Sequence, residues 1–319
     1  MVYDSGYSSF YRLKLETDWG TAVTPDVDIG LLEATGNISQ TQGIEENYAT
    51  GTRKNNQLTY GKHAVSGSLT GKMLNGKLLA YTLGTDTPTG SAETGYTHTL
   101  AVSDTTALSS FTLGQYHIST DKGLVAAGCR INDASITLDT GGILTATYNF
   151  IGKQVASLAS TVGTRPAVAQ TLLPSYTGTI SWNSVEAECK SFTWNYTNNL
   201  GDDEYSVGDR RRKAITQGAI GISGSFVLVF SGLTEYADFQ SAWSTGIEVG
   251  TKRALSLVAT TGATTTLYEL SLGMTNVTLT EINQAIPLDN SRIVAEYNYT
   301  ATAMGDVTYK DQFATTYIA

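Results

Sequence analysis

The sequence predicts a mainly β chain made of two tandem antiparallel β-sandwich or barrel domains, each with a flanking α-helix. Three observations carry this expectation. Residues 45–68 and 202–225 align without a gap, with identities at Tyr48/Tyr205, Gly51/Gly208, Arg53/Arg210, Thr59/Thr216, Gly61/Gly218 and Ser66-Gly67-Ser68/Ser223-Gly224-Ser225. Near the end of each half, Leu144, Ala146, Tyr148, Asn149 and Phe150 match Ile293, Ala295, Tyr297, Asn298 and Tyr299. The composition, with 32 Gly, 5 Pro and 18 Tyr, favours strands and turns over helices. A chain of 319 residues holds two ordinary domains, and each copy is long enough to bury its own core. The expected division is a first domain over 1–160, a linker over 161–175 that carries Pro166 and Pro174, and a second domain over 176–319.

Along the chain, short strands are predicted at 10–16, 110–117, 134–138, 178–182, 190–197, 253–259, 266–271 and 275–280. The clearest strand is Ala219–Phe230, where Ile220, Ile222, Gly224, Phe226, Leu228 and Phe230 alternate. Its counterpart carries His63, Val65, Gly67 and Leu69 on one face, which makes His63 a structural, core-facing residue. Gly67 and Gly224 share a strand-interior position, so a bulge or a close backbone approach is expected at both. Strands at 143–150 and 292–299 alternate an apolar face with a polar one: Thr145, Thr147 and Asn149 in the first, Glu296 and Asn298 in the second. That pattern puts one face on a core and the other against water or a lumen. Helices are expected at Leu74–Leu83 and over the stripe Leu233, Tyr236, Phe239, Gln240 and Trp243. The segments 40–57 and 197–214 are long, polar and Gly-punctuated, and read as functional loops or extended hairpins.

Those two segments hold the one charge pattern that repeats. Acids come first, at Glu45 and Glu46 and at Asp202, Asp203 and Glu204; bases follow, at Arg53 and Lys54 and at Arg210, Arg211, Arg212 and Lys213. A solvated hairpin with local ion pairs accounts for this, and so does a surface complementary to another copy of itself. The whole segment is expected to lie off the core, so that reversing Arg210, Arg211 and Arg212 would leave the fold intact.

Charged residues make up only 15% of the chain, against roughly 25% in an average soluble domain, which suggests a surface that meets protein. The net charge of −9 argues against nucleic-acid binding. No nucleophile elbow, zinc-protease, P-loop or dinucleotide-binding motif is present, so no enzyme activity and no cofactor or metal is expected. Cys129 and Cys189 have no CxxC spacing and read as free thiols. No stretch approaches a membrane span. Duplication without a catalytic signature suggests a chain built to assemble; the alternative is a two-domain β-sandwich surface or carbohydrate-binding module.

The chain resembles the tail tube, or major tail, proteins of long-tailed bacterial and archaeal viruses. The residues that carry the resemblance are Glu16-Thr17-Asp18-Trp19-Gly20-Thr21-Ala22, Gly61 with Ser66-Gly67-Ser68 before a helix, Ser109-Ser110-Phe111-Thr112-Leu113, Ala127-Gly128-Cys129 and Gly141-Gly142-Ile143-Leu144. The resemblance implies a β-sandwich or barrel with a flanking helix, whose inner sheets join into rings that stack into a tube for genome passage. It implies a virion-tail protein assembled in the host cytoplasm. Its partners would be copies of itself, as homotrimeric rings with pseudo-six-fold symmetry, and tail proteins such as the tape measure, terminator and baseplate. Viral DNA would pass through without specific binding. The long segments would reach the adjacent ring through Glu45, Glu46, Arg53, Lys54, Asp202, Asp203, Glu204, Arg210, Arg211 and Arg212. Thr145, Thr147, Asn149, Glu296 and Asn298 would face the lumen.

Overall fold

A computed structural model describes residues 9–51, 53–103, 107–118, 120–158, 171–229, 237–239, 252–262, 268–286 and 292–318. The first half contains β1 (Ser9–Leu15), β2 (Val27–Asp28), β3 (Leu31–Tyr48), β4 (Asn55–Met73), α1 (Lys77–Leu83), β5 (Gly84–Ser91), β6 (Gly95–Val102), β7 (Phe111–His117), β8 (Lys122–Asp139), β9 (Thr145–Gly152) and β10 (Gln154–Leu158). The second contains β11 (Thr179–Trp182), β12 (Val185–Ala187), β13 (Cys189–Thr197), β14 (Gly221–Val229), β15 (Arg253–Thr260), β16 (Glu269–Ala285) and β17 (Val294–Asp311). Every pairing between them is antiparallel.

The two copies share one sheet. Its neighbours run β3-β4-β9-β8 in the first copy and β13-β14-β17-β16 in the second, so the strand order is the same in both. They meet where β8 pairs with β13, with Thr137 opposite Thr193, Ile136 opposite Trp194 and Asp133 opposite Thr197. The equivalence extends to irregularities: β8 is bulged between Ile131 and Asp133 opposite β9, and β16 between Leu279 and Glu281 opposite β17. A bulge adds a residue and sharpens the local twist. The first part of β8 leaves this sheet and pairs with β7 and β10, and β7 in turn pairs with β1.

One apolar cluster runs beneath the sheet and draws on both copies, from Leu13, Leu69, Phe111 and Phe150 to Trp194, Phe226, Leu257 and Tyr299. The glycines expected to mark a close approach do so in both copies. Gly67 stands opposite Phe150 and Gly224 opposite Tyr299, and a Cβ on either glycine would run into that aromatic ring. Neither position is bulged, so the close approach is the reason for glycine.

Helix α1 is shorter than the expected Leu74–Leu83 and is buried along its whole length. The Asn75 side chain accepts the Lys77 N–H at 3.0 Å, and Gly84, at φ 107°, ends the helix in the left-handed region. Even Lys77 is buried; its ammonium donates to Asp28 O at 2.9 Å, and burial lowers its pKa. Residues 237–239 are helical, and Phe239 packs on the core. Leu233, Tyr236, Gln240 and Trp243 lie outside the described residues. So do residues 161–170 of the expected linker; Leu173, in its remainder, is buried and its carbonyl accepts the Leu144 N–H at 2.9 Å.

Several strands outrun their sequence signals. The strand expected at 134–138 is the end of the longer β8; those expected at 266–271 and 275–280 join, from Glu269 on, in one strand, β16, while residues 266 and 267 lie outside the described residues; and β17 continues from 294 to Asp311. The far end of β17 pairs with β6 of the first copy, and the chain then turns back over that copy. His98 is enclosed there. Its Nδ1 faces Asp86 at 3.0 Å, and its Nε2 faces Phe313 O at 3.1 Å and Asp311 at 3.4 Å, so both ring nitrogens meet acceptors and the ring is an imidazolium. Burial opposes that charge, but the hydrogen bonds and charges of Asp311 and Asp86 prevail and raise the pKa to about 9. Tyr317 stacks on the ring and donates to Asp311.

Candidate assembly surfaces

Three surfaces stand out: a polar sheet face, a projecting arm, and the arm's counterpart. Strand alternation and register align the polar face in continuous rows across both copies. One row runs Thr70, Thr147, Ser135, Asn195, Ser223 and Thr300. The next runs Lys72, Thr145, Thr137, Thr193, Ser225, Asn298 and Glu281. Asn149 stands opposite Asp133, and Glu296 opposite Asn283. Thr145, Thr147, Asn149, Glu296 and Asn298 therefore lie on one side of one sheet, and all are exposed or half-buried. The charged residues in these pairings are Asp133, Glu281, Glu296 and Lys72, and Lys72 is paired with Glu33 at 2.6 Å. The face is acidic and hydroxyl-rich.

The segment 40–57 is an extended hairpin. β3 and β4 continue past the sheet as an arm, with Ile44 opposite Tyr60, Glu46 opposite Leu58 and Tyr48 opposite Asn55. Period-two alternation puts Ile44, Tyr48, Leu58 and Tyr60 on one side of it. All four are more than half exposed, at 55%, 61%, 58% and 62%. The other side is polar, and Asn47 there donates to Thr59 at 3.0 Å. Glu45, Glu46, Arg53 and Lys54 are exposed along the arm.

The equivalent segment of the second copy folds differently. It also starts as a hairpin, with Gly201 bridged to Thr216, and then closes down on the first copy as a clamp. Arg212 is 3% exposed, which corrects the expectation that the whole segment lies off the core. Its guanidinium donates to Val65 O, Gly152 O and Asp202 O, each at 2.8 Å. The Tyr205 hydroxyl donates to His63 O at 3.1 Å, and the His63 N–H to Arg210 O at 2.8 Å. His63 is thus half-exposed beneath the clamp instead of core-facing; partial burial and the nearby Arg210, Arg211 and Arg212 lower its pKa. Ile215 is buried with Leu108 and Leu200, against Trp19 and Ile151.

The clamp's charges are largely used within the chain. Asp203 pairs with Lys62 of the first copy, and Asp209 takes Arg211 and Lys213, each at 3.3 Å. The Arg211 backbone N–H and these cations hold the Asp209 carboxyl below its ordinary range. Arg211 also donates to Gln154 at 2.6 Å, while Arg210 lies over the Tyr60 ring at the root of the arm, at 5.5 Å. Asp202, Asp203, Glu204, Arg210 and Arg211 keep exposed surface.

A further cluster draws distant pieces of sequence together. The buried Glu16 carboxylate accepts from the Gly20 and Gly128 N–H groups and from the Ser110 and Thr112 hydroxyls, at 2.7–2.8 Å. Glu16 and these partners come from three of the sequence pieces that resemble a known family, so those three pieces meet at one carboxylate. All its bonds are satisfied locally, which makes it a structural pin. Cys129 beside it is buried and free, and burial pushes its thiol pKa up; Cys189 is also free. Among the described residues no group of His, Cys, Asp and Glu forms a metal site.

A family model described as phage tail tube protein matches residues 6–301, nearly the whole chain. No curated protein sequence is significantly similar to it.

Proposed function

From the premise that the chain belongs to the phage tail tube protein family, and so is a structural protein of the virion tail, we propose that it polymerises into stacked rings around a lumen, without catalysis. The observation that carries this reading is the head-to-tail joining of two like-ordered sheets through β8 and β13, with an edge left over at each end. A heterologous contact that repeats with a fixed rotation closes into a ring. With two copies per chain, three chains complete a ring of pseudo-six-fold symmetry.

The acidic, hydroxyl-rich face lines the lumen in this reading, through Thr145, Thr147, Asn149, Glu296 and Asn298. A wall poor in cations repels the phosphate backbone and lets DNA slide. The arm reaches the adjacent ring through Glu45, Glu46, Arg53 and Lys54 and its apolar side. The exposed Asp202, Asp203, Glu204, Arg210 and Arg211 form its counter-surface; Arg212 is buried and takes no part. The tape measure, terminator and baseplate proteins are its other partners, and assembly takes place in the host cytoplasm.

Electron microscopy of the concentrated, purified full-length chain tests this. The expected result is tubes whose end-on averages show six similar lobes with true three-fold symmetry. Six chains per ring would overturn the stoichiometry, and a persistent monomer that binds glycans would overturn the reading.

A further inference from the structure

The junction between the copies also says which residues meet between chains. β8 is flanked by β9 on one side and β13 on the other over residues 133–137. Its equivalent, β16, has β17 on one side, but over residues 278–285 nothing pairs with its other side among the described residues. β13 is flanked by β14 and β8; its equivalent, β3, pairs with β4 alone among the described residues. Two unpaired edges thus remain, and each corresponds to one partner in the internal junction.

The cross-strand partners fix the correspondence residue by residue. Ala134 stands opposite Tyr148 as Ile282 stands opposite Tyr297, so Ala134 corresponds to Ile282. Trp194 stands opposite Gly224 as Ile38 stands opposite Gly67, so Trp194 corresponds to Ile38. We propose that β3 of one chain pairs antiparallel with β16 of a second copy in the register inherited from β8 and β13. Asn37 then faces Ala285, Ile38 faces Gln284, Ser39 faces Asn283, Gln40 faces Ile282 and Thr41 faces Glu281. The proposal rests on the reading of the chain as a ring-forming subunit, and it specifies the contact that reading leaves open.

Exposure supports this assignment. Leu138 is 6% exposed because the second copy lies beside it, whereas the corresponding Ile286 is 77% exposed. An apolar side chain at that position is accounted for by a neighbour across the edge. The register sets no two like charges opposite each other, and it continues the polar face, since Ser39, Thr41, Glu281 and Asn283 share its side. The unpaired N–H and C=O groups of both edges gain partners, which is what an exposed strand edge invites.

Two measurements test the proposal. In wild-type tubes, hydrogen exchange at residues 37–41 and 281–285 should slow at least tenfold relative to the unassembled chain. In a Ser39→Cys/Asn283→Cys chain, mild oxidation of tubes should yield covalent trimers, while Ser39→Cys/Glu281→Cys, displaced by two residues, should not. Tubes that form while these amides exchange as fast as in the free chain would overturn the register, even if the cysteine variants fail to assemble. Cross-linking only in the displaced pair would overturn it too. A wild-type chain that forms no tubes at all under any condition overturns the ring reading itself, and the inference with it.

Discussion

The arm at 43–61 and the clamp at 201–216 are two fates of one sequence motif. Both begin as hairpins and both carry acids followed by bases. The arm stays extended and leaves Ile44, Tyr48, Leu58 and Tyr60 exposed. The clamp buries Ile215, its counterpart of Leu58, and half-buries Tyr205, its counterpart of Tyr48, against the first copy. Where the clamp has Arg212 on three carbonyl oxygens, the arm has Asn55. The difference teaches that the apolar positions of this motif are contact positions. In one copy the contact is made within the chain; in the other the same positions stand exposed, where the proposed contact with an adjacent ring would use them.

The largest effect expected from breaking the comparison is at Arg212. Arg212→Ala strands buried carbonyl oxygens of Val65 and Gly152, and should lower the stability of the unassembled chain by about 3 kcal/mol. Arg53→Ala on the arm should change it by less than about 0.5 kcal/mol. Urea denaturation of both variants checks this, and equal midpoints would remove the distinction between clamp and arm. The triple reversal of Arg210, Arg211 and Arg212, expected from sequence to leave the fold intact, should instead unfold the clamp.

Next in size is the apolar pair. Ile215→Ala opens a cavity among Leu108, Leu200, Trp19 and Ile151 and should cost about 2–3 kcal/mol. Leu58→Ala should leave the free chain unchanged and shorten the tubes. A Leu58→Ala chain with normal tubes would show that the arm's apolar side meets no partner.

The charge on His98 separates these effects by pH. Its folded pKa, near 9, lies above the ordinary value of 6.5, so its contribution is full below 6.5 and is lost as the pH rises through 9. The loss should be on the order of 2 kcal/mol, and His98→Gln should abolish it. Arg212 does not titrate in that window, so the penalty of Arg212→Ala should be the same at pH 6 and pH 9.5. A penalty that vanishes at pH 9.5 would couple the clamp to the C-terminal turn instead. The smallest effect is on the arm's charges: Arg53→Glu/Lys54→Glu should leave stability within about 0.5 kcal/mol and weaken stacking, most visibly at low salt.

Much of this was legible in the sequence where one physical signal dominates. The alternation in β14, β9 and the start of β17 gave their faces, and Gly67 and Gly224 signalled a close approach or a bulge, but not that an aromatic ring makes the approach. The β5–β6 hairpin carries a weak sequence signal because its Thr- and Gly-rich strands show little alternation. β16 read as two strands because bulges at Leu272/Met274 and Leu279/Glu281 shift its phase. The burial of Arg212 was hidden inside a run of bases that looks solvated. One signal pointed to it: Arg210 and Arg211 have basic counterparts in the first copy, and Arg212 does not. The edges of β3 and β16 could not be read at all before the sheet order was known.

Joining the two copies covalently also changes the physics of building a wall. The β8–β13 junction forms inside a single molecule, at an effective concentration set by the tether and not by how much protein the cell has made. Dilution therefore cannot separate it. If three chains make a ring, half of its lateral contacts are present before any two molecules meet, and the roughly 4–15 kcal/mol of translational and rotational freedom lost in each association is spared at every one of them. In the proposed register the remaining contacts would be less apolar, with Gln284 and Gln40 where the internal junction has Ile136 and Tyr196. In the proposed ring, only the contacts between chains would depend on how many copies are present.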